Sequence, residues 1–334
     1  MRILLIQPSE FSSAEISPAY MKGGKFKLLR DRSRYQRILT LPPLGLMYLA
    51  TPLLEADHEV AILDAYTLQL STGEVLQEAI RFNPDLIGIS LYSRFLHIVY
   101  QLTKKLKATL NVPIVLGGAH PTAVPDKVLT EFTEVDYVIR GWAEYSLTQL
   151  AGFLSQNASI DSVEGLAYRK NGSFIMNPEA ELPKDLDEIP MPDRDLLQDM
   201  YDNHMYSNIT SSRRNMDVLL TSRNCPFSCR FCFQHWRSSY HLHSPDRVLA
   251  EISQMAERGI DAIEIMDDNF TLNKRRVNEI LVLHHGSLLV HQLEHCITAG
   301  LHAVVYGSDT GLFEAFEKLL IHLLHPTSDS KLHV

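Results

Sequence analysis

The sequence predicts an α/β protein: a doubly wound parallel sheet over the first half, then a shorter second run of strands and helices. Three observations carry that reading. Five apolar runs of strand length, at residues 1–6, 59–64, 84–90, 112–116 and 135–139, alternate with segments of helical length. A stretch dense in proline and acid, residues 182–192, then marks a boundary. Beyond it the alternation resumes with runs at 217–222, 262–266 and 302–306.

Each element follows from its residues. The opening Met1-Arg2-Ile3-Leu4-Leu5-Ile6 is too short for a secretory leader and reads as a buried first strand. Leu41-Pro42-Pro43-Leu44-Gly45-Leu46 opens an apolar helix that runs to about Glu55. A helix over Thr72–Phe82 and one over residues 96–109, with lysines on its open face, fill two further gaps between strands. Strands that are apolar throughout, rather than alternately, are buried on both faces, as in a parallel sheet covered by helices. Residues 163–169 and 173–176, around Asn171-Gly172, read as a hairpin. In the second part, Ser244 and Pro245 are the cap and first residue of a helix reaching Arg258 before Gly259. Residues 288–298 read as a helix, and so do residues 312–324. The divisions expected are 1–155, an intervening hairpin and linker at 156–210, and 211–334.

A doubly wound sheet binds ligands at the carboxyl ends of its strands. Here those ends carry Gln7-Pro8, Ser90 to Ser93, Gly117-Gly118 to His120, and Gly141. Glycine lets backbone approach a ligand closely, although turns after strands use glycine as well.

Composition bounds the function. Of 334 residues 45% are hydrophobic and 21% charged, the balance of a soluble globular chain. The net charge of −9 gives no general basic footprint for nucleic acid, and no apolar run reaches bilayer length. A cytoplasmic protein without a nucleic-acid partner or a membrane span is expected. Four cysteines do not make a disulfide scaffold.

Three of those cysteines, Cys225, Cys229 and Cys232, form a C-x3-C-x2-C pattern after a strand-like run. A compact loop can aim three thiolates at one centre, and thiolate suits iron–sulfur clusters. Three ligands on a four-iron cube leave one iron open for a substrate or cofactor. Zinc, with His235, His241 or His243 as fourth ligand, is the alternative, although the usual CxxC pairs are absent. His291 and His295 stand four apart on the helix read over 288–298, but no H-E-x-x-H glutamate accompanies them. Cys296 reads as a buried thiol.

The cysteine motif, with Phe231 before its last cysteine, resembles the radical S-adenosylmethionine enzymes. That resemblance implies Cys225, Cys229 and Cys232 as ligands of a [4Fe-4S] cluster, with Phe231 beside the adenine. It implies reductive cleavage of S-adenosylmethionine to methionine and a 5′-deoxyadenosyl radical, fed by an external donor such as a flavodoxin or ferredoxin. The phrase Asp267-Asp268-Asn269-Phe270-Thr271 is similar to the family's second barrel strand, placing Asp267 and Asp268 near the amino group of S-adenosylmethionine. The segments PPLGLMYLA, HEVAILDA, PDLIGIS, VLGGAHPT and DYVIRG resemble the cobalamin-binding domain fused to one branch of that family. By that likeness Ser90, Ser93, Gly117, Gly118, His120 and Gly141 are the cobalamin contacts.

This chain departs from the family pattern at several points. It has no D-x-H-x-x-G motif, since Asp57 and His58 are adjacent, so His120 is read as a neighbour of the cofactor rather than a cobalt ligand. Trp142 replaces a small acid of a G-E-G-E phrase, and Asp309 replaces the glutamate of a later G-I-E-S-G, where it implies a ribose contact. Only 102 residues follow Cys232, so the expectation is a partial (β/α) barrel. The function implied is methyl transfer to, or oxidative cyclisation at, an unactivated carbon of a small-molecule substrate. Magnesium-protoporphyrin ester cyclases are one subgroup. A catalytically inactive truncated remnant or scaffold, and a zinc-stabilised binding module, are the alternatives.

Overall fold

Four consecutive apolar side chains, Ile3 to Ile6, are fully buried and make Arg2–Gln7 an interior strand, β1. The computed structural model describes residues 1–9, 20–22, 25–27, 40–156, 158–206, 215–230, 232, 239–260, 262–283, 288–291 and 303–307. Two short strands, Tyr20–Lys22 (β2) and Lys25–Lys27 (β3), pair with each other. Glu59–Asp64 (β4) and Leu86–Ser90 (β5) flank β1 in parallel. Ile114–Gly117 (β6) and Tyr137–Ile139 (β7) follow beyond β5, also parallel. Leu166–Lys170 (β8) and Ser173–Met176 (β9) then add antiparallel at the β7 edge. The order is therefore β4-β1-β5-β6-β7-β8-β9. The five parallel strands lie in the flavodoxin-like order, which reverses between β1 and β5, and that reversal is where such sheets bind ligands.

Helices Leu44–Glu55 (α1), Thr72–Phe82 (α2), Leu96–Leu110 (α3), Ala119–Ala123 (α4), Pro125–Glu131 (α5) and Glu144–Leu154 (α6) connect these strands. Their ends follow local chemistry. Ser71 and Glu74 form a reciprocal capping box at the start of α2: Glu74 N–H donates to Ser71 Oγ at 3.3 Å, and Ser71 N–H to Glu74 Oε2 at 2.8 Å. Asn83 and Asn111 close α2 and α3 in the left-handed conformation, φ +52° and +51°.

The chain divides into two compact units, residues 1–184 with 188–206, and residues 185–187 with 207–334. The hairpin expected at 163–176 turns at Asn171 and Gly172, φ +52° and +79°, and it extends the first unit's sheet rather than standing apart. Residues beyond the proline-rich stretch also return to that unit. Thr51 donates to the Met191 carbonyl at 2.7 Å, Thr40 to that of Met205 at 2.7 Å, and Tyr206 to Asp64 at 3.2 Å. A short helix, Gln198–Asp202 (α7), lies in this segment.

In the second unit, Met216–Leu219 (β10) and Ala262–Ile265 (β13) pair in parallel, joined through Ser222–Arg223 (β11), His241–Leu242 (β12) and Pro245–Glu257 (α8). Ser244 caps α8, accepting from Arg247 N–H at 3.1 Å, and Gly259 follows the helix at φ +75°. Lys274–Leu283 (α9) comes next. This strand–helix–strand–helix run has the alternation expected of a (β/α) barrel, but the sheet does not continue in parallel pairing. Ala303–Gly307 (β15) runs antiparallel to β13, and Leu288–His291 (β14) antiparallel to β15.

The helix read over 288–298 is thus a strand at Leu288–His291. A run such as Leu288-Leu289-Val290 fits either structure by periodicity, and pairing with the β-branched Val304 and Val305 decides for the strand. His291 is the last residue of that strand. Phe231, His235, His295, Cys296, Asp309 and residues 312–324 lie outside the described residues. No helix among the described residues is long and apolar enough to cross a membrane.

Candidate functional site

All six residues read as ligand contacts in the first unit gather at the carboxyl edge of neighbouring strands. Ser90 ends β5 and pairs with Gly117 at the end of β6. Their loops are tied together: Leu91 N–H donates to the Gly117 carbonyl at 2.8 Å, and His120 N–H to the Leu91 carbonyl at 3.2 Å. Gly118 makes this closure possible. Its φ is +100°, and a Cβ there would meet the Leu91 backbone at 3.2 Å. Ser93 Oγ is hydrogen-bonded to His120 Nδ1 at 2.9 Å, and the Gly141 amide donates to Thr122 Oγ1 at 3.0 Å. Ser93 and Gly118 are exposed, and Ser90, Gly117, His120 and Gly141 half-buried. The edge is thus tied together by hydrogen bonds and partly open to solvent. Sequence reasoning passed over Thr122 and Arg94. The Arg94 guanidinium lies 5.3 Å from the ring centre of Tyr66 and 4.4 Å from that of Phe95. Basic residues in strand-end loops were the signal available for Arg94.

The cysteine motif in the second unit lies in the loop that joins β11 to β12. Ser222 pairs with Leu242 and Arg223 with His241 at its base. Asn224 enters the loop at φ +64°, and its side-chain amide donates to Ser239 Oγ at 2.6 Å. Cys232 N–H donates to the Cys229 carbonyl at 3.2 Å, a turn that brings two of the cysteines close along the chain. Cys225 is buried, Cys232 half-buried and Cys229 exposed. Among the described residues no three Cys, His, Asp or Glu side chains already stand at metal-binding separation. The donor set of three thiols in a short loop fits an iron–sulfur cluster.

Two buried charges hold the base of this loop. Asp267, 5% exposed, accepts from Thr221 N–H at 2.6 Å and Ser222 N–H at 3.1 Å on Oδ1, and from Thr221 Oγ1 at 2.5 Å and Ser222 Oγ at 2.7 Å on Oδ2. Burial raises its pKa above the usual carboxylate value, against the opposing hydrogen bonds from Thr221 and Ser222 and the charge of Arg276. Arg276, also 5% exposed, donates to the Thr221 carbonyl at 2.7 Å, to Thr221 Oγ1 at 3.1 Å and to the His243 carbonyl at 2.8 Å. The tandem acids therefore separate, with Asp267 inside and Asp268 exposed.

His243, considered above as a zinc ligand, is 2% exposed and bonded through Nδ1 to Asp187 at 2.9 Å. Burial holds its pKa below the usual imidazole value despite the opposing Asp187. Burial pushes Asp187 upward, but hydrogen bonds from Ser244 and His243 outweigh it and leave that carboxyl below its usual value. The pair is thus a neutral imidazole donating to a carboxylate at pH 7. The pattern around the cysteines drew attention to this histidine, but nothing in the sequence connects it to Asp187.

Comparison with known proteins shows what the chain is similar to. The B12 binding domain model matches residues 38–151, from before α1 into α6. An uncharacterized methyltransferase of Pyrococcus horikoshii is 35% identical over 249 residues, covering 72% of this chain and 52% of that protein. The anaerobic magnesium-protoporphyrin IX monomethyl ester cyclase of Synechocystis is 31% identical over 240 residues, 70% of this chain and 46% of that one. The chain thus spans about half the length of the curated relatives it matches. Among solved structures, the cobalamin-dependent S-adenosylmethionine radical enzyme OxsB, with aqua-cobalamin and S-adenosylmethionine bound, aligns at a TM-score of 0.65 and 17% identity. That alignment covers 85% of this chain and 37% of OxsB, and it shows a shared fold. A match to the B12 binding domain model, a C-x3-C-x2-C loop and these relatives together make the chain similar to the cobalamin-binding radical S-adenosylmethionine proteins over the length it spans.

Proposed function

We propose that this protein is a cobalamin-dependent radical S-adenosylmethionine enzyme that transfers a methyl group to an unactivated carbon of a small-molecule substrate. The observation that carries this reading is the C-x3-C-x2-C loop on a braced two-stranded base, in a chain whose first unit carries an open ligand edge. Cys225, Cys229 and Cys232 are the cluster ligands. A [4Fe-4S] cluster bound there would supply an open iron for the amino and carboxylate groups of S-adenosylmethionine and the electron that cleaves its carbon–sulfur bond. Cobalamin bound at the first unit's edge would supply a carrier for the methyl group.

The chain's own residues bind and orient. Ser90, Ser93, Gly117, Gly118, His120 and Gly141 line the cobalamin edge, the glycines by admitting the cofactor against backbone and Ser93 by fixing the His120 ring. Exposed Asp268 offers a carboxylate to the ammonium of S-adenosylmethionine, with Phe231 on the adenine and Asp309 on the ribose by resemblance. An external one-electron donor, a flavodoxin or ferredoxin, supplies the reductant, and the cytoplasm is the compartment that keeps the thiols reduced. Methyl transfer is favoured by the 35% identity to a methyltransferase, and the 31% identity to a cyclase supports oxidative cyclisation as the second reading.

The test is anaerobic turnover of the reconstituted protein with S-adenosylmethionine and a strong reductant. Methionine and 5′-deoxyadenosine are expected from the native chain and not from Cys225→Ala, Cys229→Ala or Cys232→Ala. A cluster-loaded native protein that leaves S-adenosylmethionine intact would instead identify an inactive remnant or scaffold.

A further inference from the structure

We propose that Asp267 makes no contact with S-adenosylmethionine and is a positioning residue, acting through Thr221 to fix the start of the cysteine loop. The inference rests on the cluster assignment above and deepens it by separating the roles of the two tandem acids. A carboxylate offers about four acceptor positions. Those of Asp267 are filled by two amides and two hydroxyls at 2.5–3.1 Å, all from Thr221 and Ser222. No acceptor capacity remains for an ammonium group.

Thr221 is correspondingly saturated. Its amide and hydroxyl donate to Asp267, its hydroxyl also accepts from Arg276, and its carbonyl accepts from Arg276 and from the His243 amide at 3.0 Å. Thr221 is fully buried and Ser222 2% exposed, so water does not compete. This seizure falls where the sequence reads as one continuous strand and the structure has two, β10 ending at Leu219 and β11 starting at Ser222. The chain is turned there, four residues before Cys225. A loop that must bring three thiolates to one centre loses less conformational entropy on binding if its base is already fixed. Asp267, two residues beyond β13, and Arg276, in α9, supply that fixed base at opposite charge and with Thr221 between them.

The experiment compares native protein with Thr221→Val, Thr221→Ser and Asp267→Asn after anaerobic reconstitution. Iron per chain and the reduced-state EPR line shape are measured first without S-adenosylmethionine. Thr221→Val removes only the hydroxyl, and Thr221→Ser restores it. The expected result is iron retention lowered at least twofold and a broadened signal in Thr221→Val and Asp267→Asn, with Thr221→Ser close to native. An Asp267→Asn signal that is native alone, and altered only when S-adenosylmethionine is added, would overturn the proposal and make Asp267 a cofactor contact. Hydrogen exchange of the 221–225 amides gives a second readout. Exchange about tenfold faster in Thr221→Val than in native protein or Thr221→Ser is expected, and equal exchange would overturn the latch. If the native protein itself builds no cluster, the functional reading fails, while the exchange data still decide the latch.

Discussion

Asp64 and Asp267 are both buried carboxylates at strand ends, yet their surroundings differ. Asp64, 1% exposed, accepts from the Thr67 amide at 3.1 Å and from Tyr206 Oη at 3.2 Å, and burial pushes its pKa up to about 6. A folded-state pKa above the unfolded value means that the folded state binds the extra proton. Stability from this group is therefore full below about pH 4 and is lost as pH rises through 6. Relative to native protein, Asp64→Asn is expected to gain about 2–3 kcal/mol between pH 4 and pH 7.5, read from chemical denaturation at each pH. A difference that does not change with pH would refute the assignment. Gly118 is a second single-residue test. Gly118→Ala meets both the positive φ and the Leu91 backbone, and a loss of about 1–3 kcal/mol with weakened cobalamin retention is expected. Cobalamin absorbance retained at native level after gel filtration would contradict its place at the cobalamin edge. Gly117, Gly118 and His120 were legible in sequence because a glycine pair after an apolar run marks a strand end. The role of Asp267 was not, because its partners Thr221 and Ser222 stand 46 and 45 residues away.

At the scale of elements, local chemistry was the readable part. The start of α8 at Ser244-Pro245, the turn at Asn171-Gly172 and the span Thr72–Phe82 all follow from capping and turn residues, and the structure has each of them. The Ser71–Glu74 box sets a measurable size: Ser71→Ala is expected to cost about 0.5–2 kcal/mol, and Ser71→Gly less, by thermal or urea unfolding. No difference between native protein and Ser71→Ala would show that the box adds nothing to α2. Where sequence reading failed, tertiary pairing had overridden periodicity. Leu288–His291 is a strand because β15 pairs with it, and the run at 217–222 is broken because Thr221 is drawn to Asp267 and Arg276.

For the whole molecule, alternation of apolar runs and helical segments specified a parallel sheet but not its strand order. The reversal between β1 and β5 arises from long-range packing that a pattern of runs does not encode. The extent of the first unit was similarly hidden, since residues 188–206 cross the proline-rich stretch and return to the sheet through contacts such as Tyr206 with Asp64. Three cysteines in one short loop narrow the candidate chemistry to iron–sulfur or zinc without any long-range contact being known. The central claim is that this loop builds a cluster with one iron open to S-adenosylmethionine. Its most direct test is EPR of the anaerobically reconstituted, reduced protein, recorded before and after S-adenosylmethionine is added. A reduced [4Fe-4S] signal that shifts on addition is the expected result. A protein with no such signal, or with one indifferent to S-adenosylmethionine, would contradict the claim.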